Sequence, residues 1–352
     1  MLTDITERYS FLDRKGLSLN LQRASAHDQN GREHDAGFGD LTSIVIISAE
    51  RGEDTRRCVE SIFERTHEPF EIIISDVGSS RETLEIINRL EDEHQNVHVI
   101  YNKESTGTTG QRNQGLFFSR GGYVVFMDND VIVLPRWLEP LKETARMNEK
   151  VGLAGSKLLK ADEENIYYCG IHTVTLERGG RVYGIGLNKG GPMASLKRTD
   201  PLAARGGEVP WYTTTTILAR REVLFEVGGF DDMVEGKGIF IANEDKDLSL
   251  SVRKAGYRIH YCPGSETVHH HDYTKVDRDD DYHRRYRLRM EQIEKDTKYF
   301  LNKWALTCLI EKLPHEDNSR RWDGKELVPV ILDLDSDDLK ADVVTLIGEA
   351  AG

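Results

Sequence analysis

Asp128-Asn129-Asp130 sets two carboxylates one residue apart, directly after the apolar run Tyr123 to Met127. Alternate residues of an extended chain point the same way, so both can aim at one spot. Neighbouring anions repel, and a positive partner relieves them. A hard divalent cation takes oxygen ligands and leaves room for substrate phosphates. The same trio is also ordinary turn composition, so the chemistry needs further residues.

Those residues recur along the chain. Asp76 follows the run Glu71 to Ser75 and precedes Gly78-Ser79-Ser80. An acid before a Gly-Ser turn can hold a base or ribose, although it also suits a plain βα turn. In Ser105 to Gly115, STGTTGQRNQG, small residues let the backbone approach a ligand. Arg112 there offers a planar cationic fork for phosphate or base. The stretch lacks the Gly-Lys-Ser/Thr ending of a P-loop. Glu244, Asp245 and Asp247 cluster at a predicted helix start, where one acid can equally act as a cap or dipole partner. His269, His270 and His271 follow a short predicted strand. An imidazole beside two Asp shifts the preferred metal from Mg2+ toward Mn2+.

Positioning these groups requires an ordered frame. Ser43–Ile47, Glu71–Ser75, Val97–Tyr101 and Tyr123–Met127 read as strands. Between them lie helical patterns: Cys58, Val59, Ile62 and Phe63; Leu84, Ile87 and Leu90; then residues 111–119. A further helix is predicted to start near Arg136. Repeated strand-helix units imply an α/β, Rossmann-like, mostly parallel twisted sheet with helices on both faces. Ligands bind beyond the carboxyl ends of such strands, which puts Asp76, Asp128 and Asp130 on one rim.

The second half is less regular. Gly184 to Gly191 and Gly206-Gly207 predict a flexible loop or lid. A strand is expected at Thr215–Ala219, with helices at Glu222–Val227 and Asp245–Lys254. Tyr286, Met290, Ile293, Thr297, Phe300 and Trp304 form a helical seam, for docking on the main domain or for homo-oligomer formation. A strand is expected at Val328–Leu334. The expected organisation is a polar extension or linker over 1–40 and one domain over 41–275, its halves meeting at 130/131. A C-terminal helical extension and tail fill 276–352.

Composition excludes several classes. The 352 residues are 38% hydrophobic with net charge −13, an ordinary globular balance that repels nucleic-acid phosphates. No stretch approaches the ~20 apolar residues of a membrane span, and MLTDITERYS is not a secretory signal. Cys58, Cys169, Cys262 and Cys308 lack CxxC spacing and read as free thiols of a reducing compartment. The expected location is therefore cytoplasmic. Arg284, Arg285, Arg287 and Arg289 allow at most peripheral contact with an anionic membrane face, or simple solvation.

In order along the chain, CVESIFERT, EIIISDVGSS, TGQRNQG, YVVFMDNDVIVLPRWLEPL, ILARREVLFEVGGFDD and EDKDLSLSVRKAGYRIHYCPGSETVHHH resemble the segments of one family. It is the GT-A-fold nucleotide-sugar glycosyltransferases of family 2, in the branch of rhamnosyl- and galactofuranosyltransferase-like enzymes. The resemblance runs from Thr42 to about His271. It implies that Asp76 and Arg112 hold the nucleotide, and that Asp128, Asp130 and His269 bind a metal and the donor diphosphate. It implies Asp245 as catalytic base with Glu244 beside it. Trp211 and Gly228-Gly229-Phe230-Asp231 would face the acceptor. Ile47-Ser48-Ala49-Glu50 stands where the family often reads Pro-Thr-Tyr-Asn, so Ser48, Glu50 and Asn129 are expected around an altered donor pocket. Arg81 stands where an acid is usual, and Thr214 near a usual Gly.

The implied reaction moves a sugar from a UDP-, dTDP- or GDP-sugar to a saccharide, lipid-linked glycan or peptide hydroxyl. It would use Mn2+ and one inverting displacement. A retaining transferase, a nucleotidyltransferase and a non-catalytic binding protein are the alternatives. The Ser-Ala-Glu-Arg-Gly stretch after the first strand lacks the phosphate loop of a nucleotidyltransferase.

Overall fold

The computed structural model describes residues 39–170, 173–178, 181–186, 196–201, 203–233, 236–270, 290–304 and 308–310. The polar stretch before residue 39, His271, the Arg284–Arg289 cluster, Tyr286 and the expected strand at Val328–Leu334 lie outside them. The chain divides into two compact units, Met1–Ile171 with Ser195–Phe300, and His172–Ala194 with Leu301–Gly352.

The first unit opens with β1 (Thr42–Ser48), α1 (Gly52–Arg65), β2 (Phe70–Val77), α2 (Arg81–Glu93), β3 (Val97–Asn102), α3 (Gly107–Phe118) and β4 (Tyr123–Asp128). β5 (Val131–Val133), α4 (Leu138–Met147), β6 (Val151–Leu159) and β7 (Ile166–Tyr168) follow. After the second unit's β8 (Thr173–Arg178) and β9 (Arg181–Gly186) come β10 (Gly207–Val209), β11 (Thr216–Arg220), α5 (Arg221–Val227), α6 (Glu244–Lys254) and β12 (Arg258–His269). α7 (Met290–Lys303) and β13 (Cys308–Ile310) complete the described chain.

The main sheet runs β10-β12-β6-β11-β4-β1-β2-β3. β4, β1, β2 and β3 are mutually parallel, as the strand-helix alternation predicts. Beyond β4 the sheet is mixed: β11 lies antiparallel between β4 and β6, and β12 runs parallel to β6. The β-branched strands are buried on both faces because helices cover both. Ile44, Ile46, Ile72, Ile74 and Met127 pack with Cys58, Ile62, Ile87, Trp137 and Leu141. Their alternates Val45, Ile73, Val124 and Phe126 pack with Leu116, Phe118 and Phe230. A Cβ on Gly115 would sit 2.2 Å from a Val45 methyl, so α3 reaches the sheet only through that glycine.

The chain leaves β1 toward β2 on one side and returns to β4 on the other. Strand order thus reverses between β1 and β4, which opens a crevice at their carboxyl ends. Register sets Ser48 against Asp76 and Ile47 against Asp128 at that edge.

Two expectations change. Gly184 to Gly186 belong to β9, which pairs with β8 and β13 in a separate three-stranded sheet, so that part is strand and not loop. Gly207 likewise opens edge strand β10. Residues 187–191 lie outside the described residues. The predicted C-terminal helix forms as α7, and Asp296 and Phe300 on it are buried. No helix among the described residues is long and apolar enough to cross a membrane. Cys58, Cys169 and Cys262 are buried free thiols. Burial pushes the Cys262 thiol up to about 11, which suits packing and not nucleophilic attack.

Candidate active site

Asp128 closes β4, and β5 begins two residues later. β5 pairs antiparallel with the end of β12, setting Val131 against His269, and the His270 N–H donates to the Asp130 carbonyl at 2.9 Å. That hairpin-like return is what brings His269 back to the carboxylates. One ligand atom from each of Asp128, Asp130 and His269 lies within 4.8 Å of the others. His269 Nε2 is 3.1 Å from Asp130 Oδ1, and the Tyr167 ring meets the imidazole edge-on. His269 and Asp130 are buried and Asp128 is half-buried. Two carboxylates and an imidazole at this spacing fit a divalent cation such as Mn2+ or Mg2+.

Two guanidiniums balance the acids. Arg112 Nη2 donates to Asp128 Oδ1 at 2.9 Å, and its Nη1 lies 3.5 Å from Glu244 Oε1. Arg51 Nη1 donates to Asp130 Oδ2 at 2.8 Å while Nη2 pairs with Asp54. The sequence reading included Arg112 and missed Arg51. Its only local signal was an Arg at a helix start three residues before an acid, Asp54, while Asp130 lies 79 positions away.

The expected donor-pocket residues divide into two groups. Ser48 and Asp76 sit side by side on the rim, both buried. Burial raises the Asp76 carboxyl above its usual range, against the Ser79 hydroxyl, which donates to its Oδ1 at 2.6 Å. Gln111, which the sequence reading passed over, donates to the Ser48 and Ser75 carbonyls and holds these strand ends together. Glu50 and Asn129 bond instead to the first turns of α2 and α1. Glu50 accepts from Ser80 N at 2.9 Å, Ser80 Oγ at 2.7 Å and Thr83 Oγ1 at 3.1 Å, bracing the start of α2. The Asn129 amide donates to Thr55 Oγ1 at 2.9 Å and to the Glu50 carbonyl.

Glu244 and Asp245 form the first turn of α6, after Asn243 in the left-handed region at φ 66°. Burial and then the Asp245 charge push the Glu244 carboxyl up to about 7, with Arg112 opposing. Asp245 Oδ1 accepts from Lys246 N at 2.8 Å. Arg112 therefore links Asp128, at the end of β4, to Glu244 of α6.

On the expected acceptor side, Gly228 and Gly229 end α5 with φ 80° and 68°. Phe230 follows, buried against Phe126 and beneath the Arg112 guanidinium. Asn113 pins its backbone through two bonds of 2.8 Å. Asp231 accepts from Tyr299 Oη at 2.9 Å. Trp211 is buried as well.

The Glycosyl transferase family 2 model matches residues 43–228, from β1 to the end of α5. The uncharacterized protein y4gI of Sinorhizobium fredii is 30% identical over 265 residues, 71% of this chain and 26% of its own length. The N-acetylglucosaminyl-diphospho-decaprenol L-rhamnosyltransferase of Mycobacterium tuberculosis is 24% identical over 243 residues, 66% of this chain and 76% of that one. The crystal structure of GalNAc-T7 with UDP, GalNAc and Mn2+ superposes with a TM-score of 0.50 at 16% identity, covering 75% of this chain and 52% of that one. The chain thus spans about a quarter of the first relative and about half of the solved structure. The crevice between β1 and β4 and its acid rim lie on the GT-A fold, and a match over more than half its length makes the chain a member of glycosyl transferase family 2.

Proposed function

We propose that this chain transfers a sugar from a nucleoside-diphosphate sugar to an acceptor hydroxyl. The observation that carries the reading is the convergence of Asp128, Asp130 and His269 within 4.8 Å, with Arg112 bridging to the acids of α6. Asp128, Asp130 and His269 would hold a divalent cation, Mn2+ in preference to Mg2+ because imidazole favours it. When bound, such a cation stabilises charge on a leaving diphosphate as a Lewis acid. Ser48 and Asp76 hydrogen-bond the nucleoside part, and Arg112 supplies a cation on the diphosphate side.

Asp245 takes the proton of the acceptor hydroxyl as the hydroxyl oxygen bonds to the anomeric carbon and the bond from that carbon to the leaving nucleoside diphosphate breaks. A single displacement of this kind inverts the anomeric centre. One observation favours a second assignment within the same reaction. Glu244, pushed up to about 7, is poised near neutrality and can serve as the base in place of Asp245.

The names of the relatives support testing L-rhamnosyl donors and diphospho-lipid-linked saccharide acceptors first. The test is transfer from a panel of UDP-, dTDP- and GDP-sugars with Mn2+, with the product's anomeric configuration read by NMR. Expected are an inverted product, loss of transfer in chelator and recovery on adding Mn2+. Asp245→Asn is expected to abolish transfer and spare donor binding. If Glu244→Gln abolishes it while Asp245→Asn turns over normally, the base is Glu244. Retention of configuration sinks the single displacement, and full activity in chelator sinks the metal role.

A further inference from the structure

We propose that α7, which lies beyond the residues matched by the family, positions the acidic helix α6, and that Asp296 is the residue through which it acts. The proposal rests on the reading of Glu244 and Asp245 as the catalytic pair. Asp296 is 1% exposed. Its Oδ2 accepts from three consecutive backbone N–H groups: Phe240 at 3.1 Å, Ile241 at 2.8 Å and Ala242 at 3.0 Å. Its Oδ1 accepts from Gln292 Nε2 at 2.7 Å. One position on, Thr297 Oγ1 accepts from Asn243 Nδ2 at 3.2 Å.

Asn243 is the cap of α6 and stands at φ 66°, a conformation that a non-glycine residue keeps only when its surroundings impose it. Those surroundings are α7 on one side and α3 on the other. The Phe240 carbonyl accepts from Thr108 N at 2.9 Å, and the Ile239 carbonyl accepts from Thr109 Oγ1. The segment 239–243 is therefore held between the helix that carries Arg112 and the helix that carries Asp296. The direction in which α6 leaves this segment sets where Glu244 and Asp245 stand relative to Asp128. Tyr299, one turn further along α7, donates its hydroxyl to the Asp231 carboxylate.

An Asn at 296 keeps the shape and replaces one acceptor oxygen by an amide donor. Turned so that its oxygen faces the three backbone N–H groups, it makes Gln292 turn over to accept from the new amide, and it loses the negative charge on which those three N–H groups converge. Asp296 is a positioning residue. Neither the metal-site residues nor Asp76 touch it in the contacts above.

The test uses the full chain and the nucleotide-sugar that it turns over, with Mn2+. Asp296→Asn is expected to lower kcat tenfold or more. Donor KM and the Mn2+ dissociation constant, read by electron paramagnetic resonance without nucleotide, should stay within twofold. Thr297→Val, which removes only the bond to Asn243, is expected to lower kcat about threefold at unchanged donor KM. Lys295→Ala, on the exposed face of α7, is the control and should match wild type. Wild-type kcat in Asp296→Asn overturns the proposal, as does a kcat loss accompanied by an equal rise in donor KM. Should Asp296→Asn fail to fold, Thr297→Val decides: lower kcat supports the proposal and wild-type kcat overturns it. Should the wild-type chain transfer nothing, the functional reading falls, and amide exchange still judges the positioning. Faster exchange at residues 240–243 of Asp296→Asn, with β1 to β4 unchanged, supports it, and unchanged exchange overturns it.

Discussion

Arg112 is the residue on which the site turns. It is almost fully buried, and one guanidinium reaches Asp128 with one nitrogen and Glu244 with another. A lysine carries the same charge as a single point and cannot span both acids. Arg112→Lys is therefore expected to raise donor KM about tenfold and to leave the fold intact by circular dichroism. Glu244 shows the cost of this crowding. Burial, then the Asp245 charge, pushes its carboxyl up to about 7 from an ordinary 4.5, so between those values the folded chain keeps a proton that the unfolded chain has released. Stability tied to this group is thus fully present below about 4.5 and is lost as pH rises through about 7. In chelator, wild-type Tm should fall across that window relative to Glu244→Gln, which stays neutral throughout. Parallel Tm curves for the two proteins would contradict the buried, proton-holding Glu244.

At the scale of elements, the loop before α6 depends on α3 as well as on α7. Gly107 opens α3 at φ +74°, and a Cβ there would lie 2.3 Å from the Phe240 carbonyl oxygen. Gly107→Ala combines a left-handed backbone with that clash and is expected to cost about 2 kcal/mol or more, read as a lower urea midpoint at unchanged m. The parallel strands were legible because β1, β2 and β4 are β-branched or aromatic runs ending in turn residues. β6, VGLAGSKLL, is buried at all nine positions yet was not read as a strand. Its Gly, Ala, Ser and Lys blur the apolar signal, and Gly155 is small only because the Tyr212 ring presses on it. β12 carries Pro263-Gly264 inside one long strand, where its register with β6 shifts, so it read as a short one. Arg51 and Asp296 were not legible, because the partners that tie them to the site, Asp130 and the backbone of residues 240–242, are distant in sequence, and their local pairs with Asp54 and Gln292 look like ordinary helix contacts.

For the whole molecule, the question is whether an acidic chain concentrates cations generally or holds one at a built site. A net charge of −13 attracts Mn2+ to the entire surface, and salt screens that attraction. Binding at Asp128, Asp130 and His269 would be different in kind, because these groups are buried or half-buried where β4 and β12 end and β5 begins. A ligand held only by the folded state stabilises it by mass action, by about 2.7 kcal/mol at a hundred times its dissociation constant. Mn2+ with the matching nucleoside diphosphate is therefore expected to raise Tm by roughly 5 °C, and Mn2+ alone by less. In 0.5 M NaCl, a concentration on the order of that needed to screen surface charge, the shift should persist for wild type and vanish for Asp130→Asn. The nucleoside diphosphate that gives the largest shift identifies the base that the chain prefers, and Asp76→Ala is expected to remove that preference if the proposed Ser48–Asp76 rim holds it. An equal shift in Asp130→Asn would mean that the surface, and not the rim of the sheet, is what the metal sees.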